Sequence, residues 1–67
     1  MIPVARLNGK EYYLNPHLIE VIEETPDTVI TLTTGKKVAV AGSAAAVVDK
    51  VLAYQKLIRN SEFGVPN

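Results

Sequence analysis

The chain has 67 residues, 48% of them hydrophobic, with seven Lys or Arg against seven Asp or Glu and no cysteine. Its length predicts one domain that buries only about 60% of its unfolded surface, so oligomerisation would be a natural addition to its stability. The hydrophobic content argues against disorder, the zero net charge argues against binding dominated by nucleic-acid phosphates, and the lack of cysteine excludes disulfides and thiolate chemistry.

The first two strands are predicted on either side of an Asn-Gly turn. Residues 1–7 are rich in β-forming side chains, and Pro3 suits a strand start or an edge strand because it lacks a ladder donor. Asn8-Gly9 predicts a two-residue primed turn, after which Glu11–Leu14 forms the return strand. Asn15-Pro16 ends that strand, since proline restricts both itself and the residue before it.

Two adjacent tyrosines stand in the return strand. Successive side chains of a strand point to opposite faces, so Tyr12 and Tyr13 must lie on different faces of the sheet. We expect one of them in the core and the other on a surface that curls over or meets a neighbour.

Three more strands are predicted at residues 18–24, 28–33 and 36–41, with turns at Pro26-Asp27 and Thr34-Gly35. The first of these is rich in glutamate, but it is short, it is bounded by prolines, and it contains several β-branched residues, which favours a strand over a helix. The pattern is that of a meander of about five short strands.

A helix is predicted over residues 43–59. Gly42 interrupts the strand pattern, and Ser43 is well placed as an N-cap. The apolar period then becomes that of an amphipathic helix, and one broad arc is expected to face the sheet: Val47, Val48, Val51, Leu52, Tyr54, Gln55 and Ile58. Residues 1–60 form one domain in this interpretation, and residues 61–67 form a tail with Phe63 as its anchor.

The predicted fold class is α+β, a small antiparallel meander followed by one C-terminal amphipathic helix. Apolar residues occupy both faces of the predicted strands; Val29, for example, opposes Ile30 and Leu32. One helix covers only part of one sheet face, so we expect a strongly bent or barrel-like sheet, or a second subunit on the other face. A homo-oligomer is therefore the expected state.

No catalytic, cofactor-binding or metal site is predicted. His17 is the only histidine and has no second histidine or cysteine with which to hold a metal ion. Glu20, Glu23 and Glu24 are interpreted as a charged strand edge that opposes aggregation. An enzyme would need a pocket that brings His17 within reach of Glu20 or Glu24, and we expect none, nor a cofactor or a small-molecule substrate.

The N-terminal segment lacks the basic start and long apolar run of a secretory signal. No segment approaches the roughly 20 apolar residues of a membrane-spanning helix. The sequence therefore predicts a cytoplasmic protein.

Two binding functions remain open from the residues alone. A protein–protein interface would use Arg6, Tyr12, Tyr13 and Val29, because buried aromatic and Arg side chains supply much of the affinity of small interfaces. The alternative is a small nucleic-acid-binding regulator, which would use Arg6, Lys10, Lys36 and Lys37 and requires these four to cluster on one face.

Three motifs stand out in the first 40 residues, "RLNGKEYYLNP", "LIEVIEETPDTVITL" and "TGKKV", and the amphipathic segment "VVDKVLAYQKLI" follows them. Together they resemble the flagellar FlbD family, also called the swarming motility protein SwrD family. The resemblance implies a small bacterial cytoplasmic protein, near the membrane at the flagellar motor, that supports motility and the output of the motor through its stator. It implies no enzymatic activity and assigns no catalytic residues.

Overall fold

The structure is a computed structural model that describes residues 1–62, and the side chains through residue 59. It confirms an α+β fold of five short strands followed by a helix. The elements are β1 (Ile2–Ala5), β2 (Glu11–Leu14), β3 (Ile19–Glu24), β4 (Thr28–Leu32), β5 (Lys37–Val40) and α1 (Ala44–Glu62), with a 3-10 turn at Pro16–Leu18.

The strands form two antiparallel sheets, β1–β2 and β3–β4–β5. The sheets meet at one bridge between Arg6 and Val40, beside which the Ala41 N–H donates to the Ala5 carbonyl at 2.8 Å. The expectation of a barrel is wrong, because the sheets do not close. The 3-10 turn separates β2 from β3. Its last residue bonds to the residue after β4 and not to β2, since the Leu18 carbonyl accepts from the Thr33 N–H at 2.7 Å.

The first hairpin turns through three residues. The Gly9 N–H donates to the Arg6 carbonyl at 2.8 Å, and the Arg6 N–H donates to the Lys10 carbonyl at 2.8 Å. Gly9 has φ +91°, whereas no described residue other than glycine has positive φ. The predicted two-residue primed turn is therefore wrong, because it needs positive φ at both central residues; a three-residue loop that ends in a glycine bulge replaces it.

The β4–β5 hairpin uses the same turn. The Gly35 N–H donates to the Leu32 carbonyl, the Leu32 N–H donates to the Lys36 carbonyl, both at 2.8 Å, and Gly35 has φ +92°. In each loop a side-chain oxygen, from Asn8 or Thr34, accepts from the N–H of the lysine after the glycine. Both hairpin loops thus end in a glycine, and a lysine follows each glycine.

The core lies between the inner faces of the strands and the start of the helix. Its buried hydrophobic members come from four strands and from α1: Ile2, Val4, Leu14, Ile30, Leu32, Val38, Val40 and Val47. In β4 the side chains alternate as predicted, with Ile30 and Leu32 buried and Val29 partly exposed. Thr28 is buried as well, and its hydroxyl donates to the Gly42 carbonyl at 2.7 Å.

Two side chains satisfy the N-terminus of α1. Ser43 is the predicted N-cap, since its Oγ accepts from the Ala46 N–H at 3.1 Å. A second acceptor was not predicted: Glu24 Oε1 accepts from the Ala44 N–H at 2.8 Å. Each bond supplies a partner to an amide that has none within the helix.

The helix runs to Glu62, past the predicted end at residue 59, because no glycine or proline stands between Ala44 and Gly64. Residues 61 and 62, which the sequence assigned to a tail, belong to the helix. The rest of that tail, with Phe63, lies outside the described residues.

The buried stripe of the helix is narrower than predicted. Val47 is buried, and Val51, Tyr54 and Ile58 are partly buried. Val48 and Leu52, however, are 41% and 56% exposed, because the strands beneath are too few to cover a broad arc. Within the described residues, no helix is long and apolar enough to cross a membrane.

Candidate interaction cleft

An open cleft of about 550 Å³ separates the β1–β2 hairpin from the β4–β5 hairpin; we call it the hairpin cleft. The first hairpin lines it with Arg6, Leu7, Asn8, Tyr12 and Leu14, and the second with Leu32, Lys36, Lys37, Val38 and Ala39. The cleft lies where the two hairpins remain apart, so it follows from the sheets not closing.

Strand register brings Arg6 and Tyr12 together in this cleft. Val4 lies directly opposite Tyr12, and Arg6 follows Val4 by two residues, so Arg6 and Tyr12 are diagonal neighbours on one face. The Arg6 guanidinium lies 4.7 Å from the centroid of the Tyr12 ring. This distance is within the range of a cation–π interaction.

The hairpin cleft has an apolar floor and a cationic rim. Leu14, Leu32 and Val38 are core residues that reach its floor. Arg6, Lys36 and Lys37 are exposed at its edge, and none of the side chains that line it is acidic. An occupant with apolar side chains beside carboxylates or phosphates would complement both parts.

Tyr12 adds an unsatisfied polar atom to the cleft. Its hydroxyl is buried and has no hydrogen-bond partner among the described residues. Such a group costs about 1–3 kcal/mol of desolvation that no bond offsets. A carboxylate or carbonyl oxygen of an occupant that reached this hydroxyl would remove the deficit.

The other two predicted interface residues lie elsewhere. Tyr13 is 70% exposed and lies opposite Pro3 on the outer face of the first sheet. Val29 is partly exposed on the outer face of the second sheet, with Ala39 as its neighbour on β5. The structure therefore places Arg6 and Tyr12 in one site and Tyr13 and Val29 on outward surfaces.

Three of the four cations predicted for nucleic-acid binding line the hairpin cleft, namely Arg6, Lys36 and Lys37. Lys10 is exposed and is not among the lining residues. The predicted cluster is thus present in part.

Two of the three residues considered for catalysis, His17 and Glu24, contact parts of α1. The His17 ring packs edge-on against Tyr54, with 5.8 Å between the ring centroids, and Glu24 accepts from the start of α1. The described residues contain no group of three or more His, Cys, Asp or Glu that could hold a metal ion.

Sequence reasoning missed the apolar floor and the joint position of the two loops. The repeated pattern of a glycine followed by a lysine, at Gly9-Lys10 and Gly35-Lys36, was the available signal. It shows that two loops have the same chemistry. It does not show that the loops lie side by side, which depends on the bridge between Arg6 and Val40.

A family model described as FlbD, flagellar and swarming motility proteins, matches residues 1–59. The chain belongs to the FlbD family. The match includes all five strands, both hairpin loops and most of α1. No curated protein and no solved structure matches the chain. Family membership associates this FlbD-family protein with flagellar and swarming motility.

Proposed function

We propose that this FlbD-family protein acts in flagellum-dependent motility by binding other proteins, without catalysis, and supports the output of the flagellar motor through its stator. Family membership carries the proposal. The hairpin cleft supports a binding role, because its apolar floor and cationic rim are suited to holding a partner segment. The proposed location is the cytoplasm, near the membrane at the motor.

We also propose that the protein self-associates. Several large apolar side chains are exposed, among them Tyr13 at 70%, Leu57 at 68% and Leu52 at 56%. Exposed apolar side chains favour association where they form a contiguous patch. A chain of this length buries a small fraction of its surface when it folds alone, so surface buried at an interface adds proportionally more to its stability.

Motor torque measured in the native host tests the motility proposal. Cells that lack the gene should assemble normal numbers of flagella, and beads attached to their flagellar stubs should turn with reduced torque. A copy of the wild-type gene should restore the torque. A fall in flagellar number at unchanged torque per motor would overturn the stator proposal.

A photo-crosslinking residue in the cleft tests direct contact. Placed at Leu7, which lines the cleft and is 58% exposed, it should capture a stator protein in motile cells. The matched control is Asp49, an exposed residue of α1, from which no stator capture is expected. Equal capture from both positions would remove the support for this site.

Binding of nucleic acid is the second candidate, and the arrangement of Arg6, Lys36 and Lys37 beside Tyr12 favours it. This function predicts retardation of RNA or DNA at low salt and a steep loss of binding as salt rises. Absence of retardation at low salt would exclude it.

A further inference from the structure

We infer that the protein associates head to tail, with the outer edge of β3 in one copy docked into the hairpin cleft of the next. The inference rests on the self-association in the proposed function and names the two surfaces that meet. The same cleft is proposed for the motor partner, so within an open chain of copies only the terminal cleft is free to bind that partner.

The first observation is that both outermost strands of the described fold have an unpaired edge. β2 pairs only with β1, and β3 pairs only with β4. An unpaired strand edge presents a row of free N–H and C=O groups, which readily pair with a strand from another chain. Because the two sheets meet between β1 and β5, β2 and β3 are the terminal strands of the arrangement.

The second observation is that the exposed side chains beside this edge, on the outer side of β3, are acidic and partly apolar. Glu20 and Glu23 are exposed, and Val21 between them is 42% exposed. Glu20 lies where the register of β3 against β4 shifts between Ile19 and Val21. Glu24 has a different role, since it accepts from the first amide of α1.

The third observation is that the hairpin cleft complements this edge. The cleft borders β2, has three cations at its rim and no acidic lining residue, and has an apolar floor. Glu20 and Glu23 of an incoming copy would meet Lys36 and Lys37, and Val21 would lie over apolar surface.

The two surfaces are different parts of one chain, so their association is heterologous. Each added copy buries one cleft and one β3 edge and leaves one of each at the ends. Such contacts build rings or open chains rather than closed two-fold dimers. The structure thus assigns a concentration-dependent series of oligomers whose formation weakens with salt.

Paired charge reversals test this arrangement. The cleft variant carries Lys36→Glu and Lys37→Glu, and the edge variant carries Glu20→Lys and Glu23→Lys. Like charges in register across an interface should lower the association constant of either variant alone by roughly a hundredfold or more. Mixed at equal concentrations, the two should form mixed oligomers in which the variants alternate, because the edge of each variant is opposite in charge to the cleft of the other.

Sedimentation velocity at low and high salt is the readout, with circular dichroism to show that each variant is folded. The matched control is Asp49→Lys with Lys56→Glu, a double reversal on exposed positions of α1, which should associate like the wild type. If either reversal unfolds the chain, a neutral variant replaces it. The neutral cleft variant is Lys36→Gln with Lys37→Gln, and the neutral edge variant is Glu20→Gln with Glu23→Gln. Each neutral pair should then weaken association at low salt only.

Three outcomes would overturn the inference. A wild-type protein that stays monomeric at millimolar concentration removes self-association itself. Wild-type oligomers, but no mixed oligomers of the two variants, would show that other surfaces meet. In the third outcome, the cleft variant forms oligomers like the wild type but no longer binds RNA or an acidic motor peptide. That result would assign the cleft to the ligand that is lost. In each case the torque measurement still decides the role in motility separately.

Discussion

Replacing Gly35 with alanine should destabilise the domain through the backbone alone. Gly35 has φ +92°, and a Cβ built on it would have no atom within 4 Å. The substitution therefore adds no steric clash with neighbours. A left-handed conformation costs an L-residue about 1–2 kcal/mol. Alanine also makes the unfolded chain less flexible than glycine does, and this offsets about 0.4–1 kcal/mol of the loss. The expected net loss is about 1 kcal/mol, or about 4–8 °C in Tm for a domain of this size.

Thermal unfolding followed by circular dichroism measures this loss. The protein is kept dilute so that association does not raise the Tm. Gly9→Ala should cost the same, because Gly9 has φ +91° and equally open surroundings. Gly35→Asn is the matched control and should lose less, because asparagine tolerates the left-handed region better than alanine. An alanine variant as stable as the wild type would refute the reasoning, as would an asparagine variant that loses as much as alanine.

Three further substitutions test the core, the cap and the cleft. Ile30→Ala should lower the free energy of unfolding by about 2–5 kcal/mol, a large part of the roughly 3–10 kcal/mol expected for a chain of this length. Urea unfolding would measure this loss, and Ile30→Val should retain most of the stability. Ser43→Ala should cost about 1 kcal/mol in the same assay, and an unchanged midpoint would deny Ser43 its role as N-cap. Tyr12→Phe should leave the monomer as stable as the wild type or more stable, because it removes a buried hydroxyl without a partner; a lower Tm would mean that the hydroxyl is bonded in the folded monomer.

The strands and the helix were predictable because local chemistry determines them. Pro16 and Pro26 bound β3, and Gly42 with Ser43 separates the last strand from α1. The alternation of Ile30 and Leu32 against Val29 identified the buried face of β4 correctly. Residue type and spacing were sufficient in each case.

One feature that the sequence missed is local, and the others depend on contacts between distant residues. The type of the first turn depends on the φ angle of Asn8, and Asn8-Gly9 is compatible with a two-residue or a three-residue loop. The exposure of Leu52 depends on how far the strands extend beneath the helix. The hairpin cleft requires both hairpins to lie side by side, which no local pattern encodes.

The bond from Glu24 to the Ala44 N–H joins residues 20 positions apart. A single helix of this length is marginal in water on its own, and α1 gains this N-terminal partner only after β3 is in place. The helix therefore depends on the sheet for part of its stability, and a peptide of residues 43–62 should be mostly unfolded. The helical circular-dichroism signal of the whole chain consequently reports on the integrity of the β3–β4 hairpin as well as on α1.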